Sequence, residues 1–249
     1  MNMRKWAALP LAVVLSLSPA LVGSAGGAAQ AATRNLAPDI QGVAGNEDQV
    51  KKVEDAVRVV SEMMKESDKS IPANLIRTCA GIAIIPDVIK AGLVVGGRHG
   101  RGVVLVRTKE GGWSDPAFIE LTGGSIGWQA GVQSGDIILV FRTPRSVENI
   151  NKGKFTLGAD AGVAAGPVGR TAEASTDTEL KAEILSYSRS RGLYVGLTLQ
   201  GSSIQEDRKA NRDFYGTEIS PLGIFEGQAK ATPEIAQKLK RTLAELVKK

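Results

Sequence analysis

The feature that most constrains the fold of this chain is a series of short strand-prone runs, from about Ile82 to Ile204, that glycine interrupts repeatedly. These runs are rich in Val, Ile, Leu and Phe, and turn residues connect them. They are GIAII, AGLVVGG, GVVLVRT, AFIELT, SIGWQAGVQ, DIILVF, FTLGADAGVAAG, AEILSYS and LYVGLTL. Their connections are too short for crossover helices, so neighbouring strands should be antiparallel, with one hairpin at KEGG from Lys109 to Gly112.

Amphipathic helices are predicted on both sides of these strands. The first runs from Asn46, as N-cap, to Lys69, with apolar residues three and four apart at Val50, Val53, Val57, Val60 and Met64. The second follows Thr232 as N-cap and Pro233 as first residue, and its apolar stripe is Ile235, Leu239, Leu243 and Leu246. RSVENINKGK is expected to hold one helical turn. The predicted fold class is therefore α+β, with a curved or barrel-like, mainly antiparallel, glycine-rich sheet and amphipathic N- and C-terminal helices.

Glycines recur four residues apart in three of the runs, and such residues share one face of a strand. They are Gly127, Gly131 and Gly135, then Gly158, Gly162 and Gly166, then Gly192 and Gly196. Gln129, Gln133, Asp160, Tyr194 and Thr198 would share this glycine face, and Val132, Val163, Leu193, Val195, Leu197 and Leu199 would face the core. Two interpretations remain open: the glycines permit strong curvature of the sheet, or they leave a trough that a ligand or another backbone can approach closely.

The stretch SYSRSRGLYVGLTLQG predicts a hairpin, because alternating residues precede and follow SRSRG. Gly192 can supply a positive φ in its turn. Arg189 and Arg191 would then project from the hairpin tip. They form either a solvated turn or a site for a phosphate headgroup, which two nearby guanidinium groups can hold together.

The first 31 residues are typical of a cleaved secretory signal peptide. Arg4 and Lys5 precede an apolar stretch from Trp6 to Val22, and AQA before Ala32 offers a cleavage site. The apolar stretch is short for a membrane anchor, and Pro10 and Pro19 interrupt it. We expect an exported protein, periplasmic or secreted, with a flexible segment at 32–45 and one domain at 46–249.

Cys79 is the only cysteine, so an internal disulfide is excluded, and its distance from the cleavage site is not that of a lipoprotein. Its apolar neighbours predict a buried, unpaired thiol. The whole chain has a net charge of +5, and loss of residues 1–31 would leave 29 basic and 26 acidic residues, a net charge of +3. This small excess argues against nucleic acid as a partner.

The sequence gives little support to an enzyme. GGSIG around Ser125 fits a nucleophile pattern, but the only histidine, His99, precedes it and no strand–helix alternation surrounds it. One histidine and one cysteine cannot supply a zinc site without carboxylates, and no acidic cluster has calcium-loop spacing. GGRHGRG lacks the spacing of a dinucleotide loop and is expected to form a tight turn with Arg98 and Arg101 exposed. No cofactor or metal is predicted.

Several long blocks in order resemble the SYLF domain family. They are IPANLIRTCAGIAIIPDVIKAGLVVGGRHGRGVVLVR, GWSDPAFIELTGGSIGWQAGVQSGDIILVF, GADAGVAAGPVGRTAEA, SYSRSRGLYVGLTLQGSSI and FYG at Phe214 to Gly216. The resemblance covers the chain from about Asp48 to the C-terminal helix. It implies membrane lipid binding, since eukaryotic members bind phosphoinositides through an amphipathic N-terminal segment and the domain, and fungal members also bind actin filaments.

The resemblance points to the first helix as a headgroup site, where the basic residues are Lys51, Lys52, Arg58 and Lys65. Each could add about 1 kcal/mol at an anionic surface. Six acidic residues offset them: Glu47, Asp48, Glu54, Asp55, Glu62 and Glu66. A helix that simply packs on the sheet is the competing interpretation.

The resulting hypothesis is an exported, non-enzymatic lipid-binding protein whose partners are anionic phospholipid or phosphoinositide headgroups. The first alternative is a structural or protein-interaction module of the cell envelope, with actin as partner only if the chain reaches a host cell. A serine hydrolase is a remote second alternative.

Overall fold

The computed structural model of the chain describes residues 40–65, 71–92, 95–126, 131–168, 181–190 and 193–248. The predicted signal peptide lies outside these residues, so its cleavage and the export of the chain remain predictions. The described part is an α+β fold, which confirms the predicted class.

The strands form one curled sheet, and only some of them end at the glycines that interrupt the strand-prone runs. They are β1 Gly81–Gly92, β2 Val95–Val106, β3 Ala117–Ile126, β4 Gly131–Phe141, β5 Lys154–Thr156, β6 Val163–Ala165, β7 Ile184–Ser190, β8 Leu193–Gly196 and β9 Ser203–Glu206. The order is β5-β9-β3-β2-β1-β4-β7-β6, and β8 also pairs with β7. All pairs are antiparallel, as predicted, except the short parallel pair of β6 and β7.

The helices in the described part are α1 Ile40–Lys65, α2 Ala73–Thr78, α3 Pro144–Asn151, α4 Arg208–Tyr215, α5 Pro221–Phe225 and α6 Glu234–Leu246. Helix α1 begins at Ile40, so Asn46 lies inside it and is not its N-cap, and residues 40–45 are helical rather than flexible. Helix α6 begins one residue later than predicted. Its N-cap is Pro233, and the Thr232 hydroxyl instead donates a hydrogen bond to Asp115.

Apolar side chains from the helices and the central strands form one core. The stripe of α1 buries Val53, Ala56, Val57, Val60 and Met63, and the stripe of α6 buries Ala236, Leu239, Leu243 and Leu246. Cys79 is buried, as predicted, and its thiol donates a hydrogen bond to the carbonyl of Ile76. Burial raises the pKa of this thiol to about 11, although the nearby Arg107 opposes the shift, so the group stays neutral at physiological pH.

Three predicted strands are wrong because the chain reverses inside them. AGLVVGG and SIGWQAGVQ cover the ends of β1–β2 and β3–β4, where Gly92 pairs with both Gly96 and Gly131. FTLGADAGVAAG divides into β5 and β6 around a turn at Gly158, whose φ is +89°. These reversals were not predicted because the three segments are rich in Val, Leu and Ala and carry few turn residues other than glycine.

GGRHGRG is also not a turn, because it lies within β2 and pairs on both sides. Gly102 is required there by space, since a Cβ at this position would collide with the backbone of Ile84 on β1. The glycines of this segment therefore permit close strand packing, and the arginines between them occupy ordered strand positions.

The strand ends that the β1–β2, β3–β4 and β7–β8 connections join all lie at one end of the sheet. Gly92 at the end of β1 pairs with Gly96 and with Gly131, and Ile126 at the end of β3 pairs with Val95. The last residues of β7 lie at the same end, because β7 is antiparallel to both β4 and β8. The connecting residues themselves, 93–94, 127–130 and 191–192, are outside the described part. Basic residues and glycines of β1, β2 and β4 lie close together at this end of the sheet.

Candidate functional site: a cationic pair in an open pocket

Two basic residues meet near this end of the sheet. Lys90 on β1 and Arg98 on β2 are direct register partners, so they share one face and their Cβ atoms lie about 4.5–5.5 Å apart. Both line an open pocket of about 860 Å³, which Ser134, Ser188 and Ser190 also line. We call Lys90 and Arg98 the cation row.

Neither member of the cation row has an acidic partner among the residues that the structure describes. Within the described ranges, every ion pair involves other residues. The Nε of Arg98 is buried and has no hydrogen-bond partner among the described residues, and burial lowers the pKa of this guanidinium. Two like charges placed opposite each other, one of them partly desolvated, are unfavourable unless an anion neutralises them.

A row of glycines follows the cation row towards the end of the sheet. Gly92, two residues after Lys90, pairs with Gly96 on β2 and with Gly131 on β4. Because glycine has no side chain, bare backbone borders the cations on this side. Gln133, another residue of the predicted glycine face, is the register partner of Lys90. The side chain of Gln133 is not described, and Gly127 and Gln129 lie outside the described residues, so a bare, polar face on β4 stays a prediction.

Four further residues of the pocket lining form a cluster of paired charges with Glu62 of α1, which does not line the pocket. We call these five residues the ion cluster: Arg58, Glu62, Asp87, Asp136 and Arg189. Arg189 Nη1 lies 2.6 Å from Glu62 Oε2 and 3.2 Å from Asp136 Oδ2. Arg58 reaches Glu62, Asp87 and Asp136 at 3.6, 3.6 and 3.9 Å. These contacts connect α1 to β1, β4 and β7.

A β-bulge in β1 shapes the ion cluster. The register of β1 with β4 shifts between Ile85 and Val88, and Asp87 within the bulge has a φ of 53°. Aspartate tolerates this left-handed conformation better than most residues. The Asp87 amide donates a hydrogen bond of 3.1 Å to Asp136 Oδ1, so the buried carboxylate of Asp136 is satisfied by both backbone and arginine.

The hairpin predicted around SRSRG is confirmed, because β7 and β8 pair up to Ser190 and Leu193. Arg189 is not at its tip, however. It lies within β7, its side chain is 12% exposed and it belongs to the ion cluster. The expected projection of Arg189 into solvent is wrong because acidic residues on α1 and β4 face it. Arg191 lies outside the described residues, and a headgroup role for either arginine stays a prediction.

The basic residues predicted on α1 do not form one patch. Lys51 and Lys65 are exposed and Lys52 is half-buried, and none of the three lines the pocket. Arg58 lines it but is 41% exposed and surrounded by carboxylates. Of this predicted set, only Arg58 therefore lines the pocket that the cation row also lines.

The remaining glycine-face residues are dispersed. Asp160 lies in the turn after β5, where its carboxylate accepts a hydrogen bond from the Thr156 amide, and Gly162 follows that turn. Gly196 lies on β8, where a Cβ would come 2.6 Å from the carbonyl oxygen of Gly166. Another backbone therefore fills the glycine face at Gly196. Tyr194 is on β8 opposite Arg189, and its side chain is outside the described part.

Sequence reasoning missed the cation row. Arg98 was assigned to a turn, and Lys90 lay in an apolar run that carried no motif. The available signal was alternation: Val88 and Lys90 on β1, and Arg98 and Gly100 on β2, occupy like-facing positions in two strands that a short connection joins.

Alternative chemistries find no support in the described part of the chain. No group of three or more His, Cys, Asp or Glu side chains there could hold a metal ion. Ser125 pairs with Gly96, three positions along β2 from His99, so the strand register separates the two residues by about 10 Å of strand. No described helix is both long and apolar enough to cross a bilayer.

Comparison with known proteins decides the family. The family model Ysc84, described as "Las17-binding protein actin regulator", matches residues 122–246, just over half of the 249-residue chain. The chain belongs to the Ysc84 family. The resemblance to SYLF domains is thereby confirmed, because Ysc84 and SYLF denote the same domain.

Members of the Ysc84 family in yeast and animals are similar over most of this chain. LAS seventeen-binding protein 3 of Saccharomyces cerevisiae is 34% identical over 188 residues, which are 72% of this chain and 41% of that protein. Protein YSC84 of the same yeast is 38% identical over 170 residues, covering 67% and 36%. SH3 domain-containing YSC84-like protein 1 of Homo sapiens is 36% identical over 192 residues, covering 76% and 55%. The chain therefore spans about half the length of these relatives or less.

Proposed function

We propose that this Ysc84-family chain binds anionic lipid headgroups and has no enzymatic activity. The observation that carries the proposal is the cation row, two neighbouring positive charges that line an open pocket and have no acidic partner in the described part of the chain. The chain is proposed to act at a membrane surface outside the cytoplasm, in the periplasm or after secretion, because its first 31 residues are typical of a signal peptide.

A phosphate group suits the chemistry of this pocket. A guanidinium and an ammonium can both donate charge-assisted hydrogen bonds to phosphate oxygens, and Lys90 and Arg98 both line the pocket. Because Arg98 is half-buried, salt screens its interaction with a bound anion less than it screens fully exposed charges. The serines in the pocket lining could complete the coordination of a phosphodiester or phosphomonoester headgroup.

Vesicle sedimentation tests this function. The chain is mixed with phosphatidylcholine vesicles that contain increasing fractions of phosphatidylglycerol, at low and high salt. The proposal predicts that the bound fraction rises with phosphatidylglycerol and falls as salt increases. Absence of binding at every anionic fraction would reject lipid binding.

The family description favours a second candidate, a protein-interaction module, since it names an actin regulator that binds Las17. For this chain the partner would be an envelope protein, or actin if the chain reaches a host cell. Cosedimentation with actin filaments in the absence of lipid tests the actin case. Binding to filaments without binding to anionic vesicles would favour the second candidate.

A further inference from the structure

Strand β8 exposes two large apolar side chains side by side. Leu193 is 53% exposed and Val195 is 59% exposed, although their alternation had predicted that both face the core. Along the same register, Leu197 is half-buried and lines the pocket, and Leu199 is fully buried. The apolar stripe therefore runs from the core, past the pocket, to the exposed end of the sheet.

The packing of β8 fixes this outward orientation. At Gly196 the strand lies so close to the Gly166 carbonyl that a Cβ would come within 2.6 Å of it. The Ser186 hydroxyl donates a short hydrogen bond to the Leu197 carbonyl, and the Leu197 amide donates one of 3.1 Å to Ser186 O. Because the backbone is held on both sides, Leu193 and Val195 cannot turn into the core without breaking these contacts.

Strand pairing places Leu193 and Val195 on the same face of the sheet as the cation row. Val195 pairs with Ser188 on β7, and Ser188 pairs with Ile137 on β4. Two residues before Ile137, Gly135 pairs with Val88 on β1, which shares its face with Lys90. Strands β7 and β4 therefore lie between these two apolar residues and the cation row.

We propose that Leu193 and Val195 enter the boundary between lipid headgroups and acyl chains while the cation row holds a headgroup phosphate. This inference rests on the proposed lipid-binding function. Apolar contact next to basic side chains on one face is the pattern of proteins that lie in the membrane interface. Two side chains bury too little area for a specific protein–protein interface, which takes about 1,200–2,000 Å² in total.

The double variant Leu193→Ser/Val195→Ser tests the inference in the vesicle assay. We expect its partition coefficient on phosphatidylglycerol-containing vesicles to fall about tenfold, since each side chain loses part of its transfer from water. Leu222→Ser on α5 is the matched control, because Leu222 is 47% exposed but does not line the pocket. The control should bind like the unmodified chain.

A second readout locates the contact. A Leu193→Cys variant carrying an environment-sensitive fluorophore should shift its emission to the blue with phosphatidylglycerol-containing vesicles but not with phosphatidylcholine vesicles. Cys79 is buried, so we expect it to react slowly in the folded chain, and the same labelling of the unmodified protein corrects for it.

The outcomes separate the inference from the function on which it rests. If the unmodified chain does not bind vesicles, the lipid-binding function fails. If the unmodified chain binds but the Leu193→Ser/Val195→Ser variant binds equally and the fluorophore does not shift, only the inference is overturned. An equal loss of binding in the Leu222→Ser control would also overturn it, because apolar exposure anywhere would then suffice.

Discussion

Gly166 shows how a single residue decides the packing beside the pocket. A Cβ at this position would lie inside the ring of Tyr187, whose side chain is fully buried, whereas a Cβ on Gly162 would meet only the Glu183 amide nitrogen, at 3.8 Å. The two glycines come from the same sequence triad but have different roles. Gly166 makes room for a core aromatic ring, and Gly162 lies in open surroundings.

Gly166→Ala should therefore lower the free energy of unfolding by about 2–4 kcal/mol, because the Tyr187 ring must shift in a packed core. Gly162→Ala, the matched control, should change it by less than about 0.5 kcal/mol. Urea denaturation measures both. Similar effects of the two substitutions would contradict the packing described here.

The surroundings of a side chain could be predicted from the sequence where they depend on neighbouring residues in the chain. The burial of Cys79 follows from its apolar neighbours, and the structure confirms it. The positions of Arg98 and Arg189 were not predictable, because each depends on which residue of another strand or helix lies opposite. Arg98 meets another cation, and Arg189 meets two carboxylates.

At the scale of secondary-structure elements, the ion cluster links helix α1 to the sheet. Glu62 of the helix contacts Arg189 of β7, and Asp136 of β4 accepts from Arg189 and from the bulged backbone at Asp87. The side chains of Asp136 and Arg189 are 7% and 12% exposed, so removal of one charge leaves the other poorly solvated.

Arg189→Gln should lower the free energy of unfolding by about 3 kcal/mol, because it leaves the Asp136 carboxylate buried without its closest cation. Arg212→Gln is the control, since its partner Glu218 is 71% exposed and its other partner, Asp213, keeps a closer contact with Lys209 at 2.6 Å. The control should cost less than about 1 kcal/mol. If thermal or urea unfolding showed no difference between the two variants, the ion cluster would have no role in holding α1.

The existence of most elements could be predicted, but several boundaries could not. Helix α3 was expected from RSVENINKGK, and the β7–β8 hairpin from alternation around SRSRG. The β1–β2 and β3–β4 reversals were missed because their sequences have strand propensity, and β-bulges such as that at Asp87 leave no clear local signal.

At the scale of the whole molecule, curvature and strand order bring distant segments to one end of the sheet. Residues from α1, β1, β2, β4, β7 and the chain after β8 line a single pocket although they span positions 58–197. The sequence predicted an antiparallel, curved, glycine-rich sheet. It could not predict the order of the strands, and hence could not show that Lys90 and Arg98 meet there.

The most direct test of the cation row compares two double variants that remove the same charge. Lys90→Gln/Arg98→Gln removes the row, and Lys51→Gln/Lys52→Gln removes two lysines of α1 that do not line the pocket. Partition coefficients on phosphatidylglycerol-containing vesicles are measured together with urea unfolding.

We expect the first variant to lose about 30-fold in binding, or roughly 2 kcal/mol for two phosphate contacts. It should unfold no more easily than the unmodified chain, because a like-charge pair has been relieved. The Lys51→Gln/Lys52→Gln variant should lose less than about threefold. Equal losses in the two variants, or no loss in the first, would contradict a headgroup site at Lys90 and Arg98.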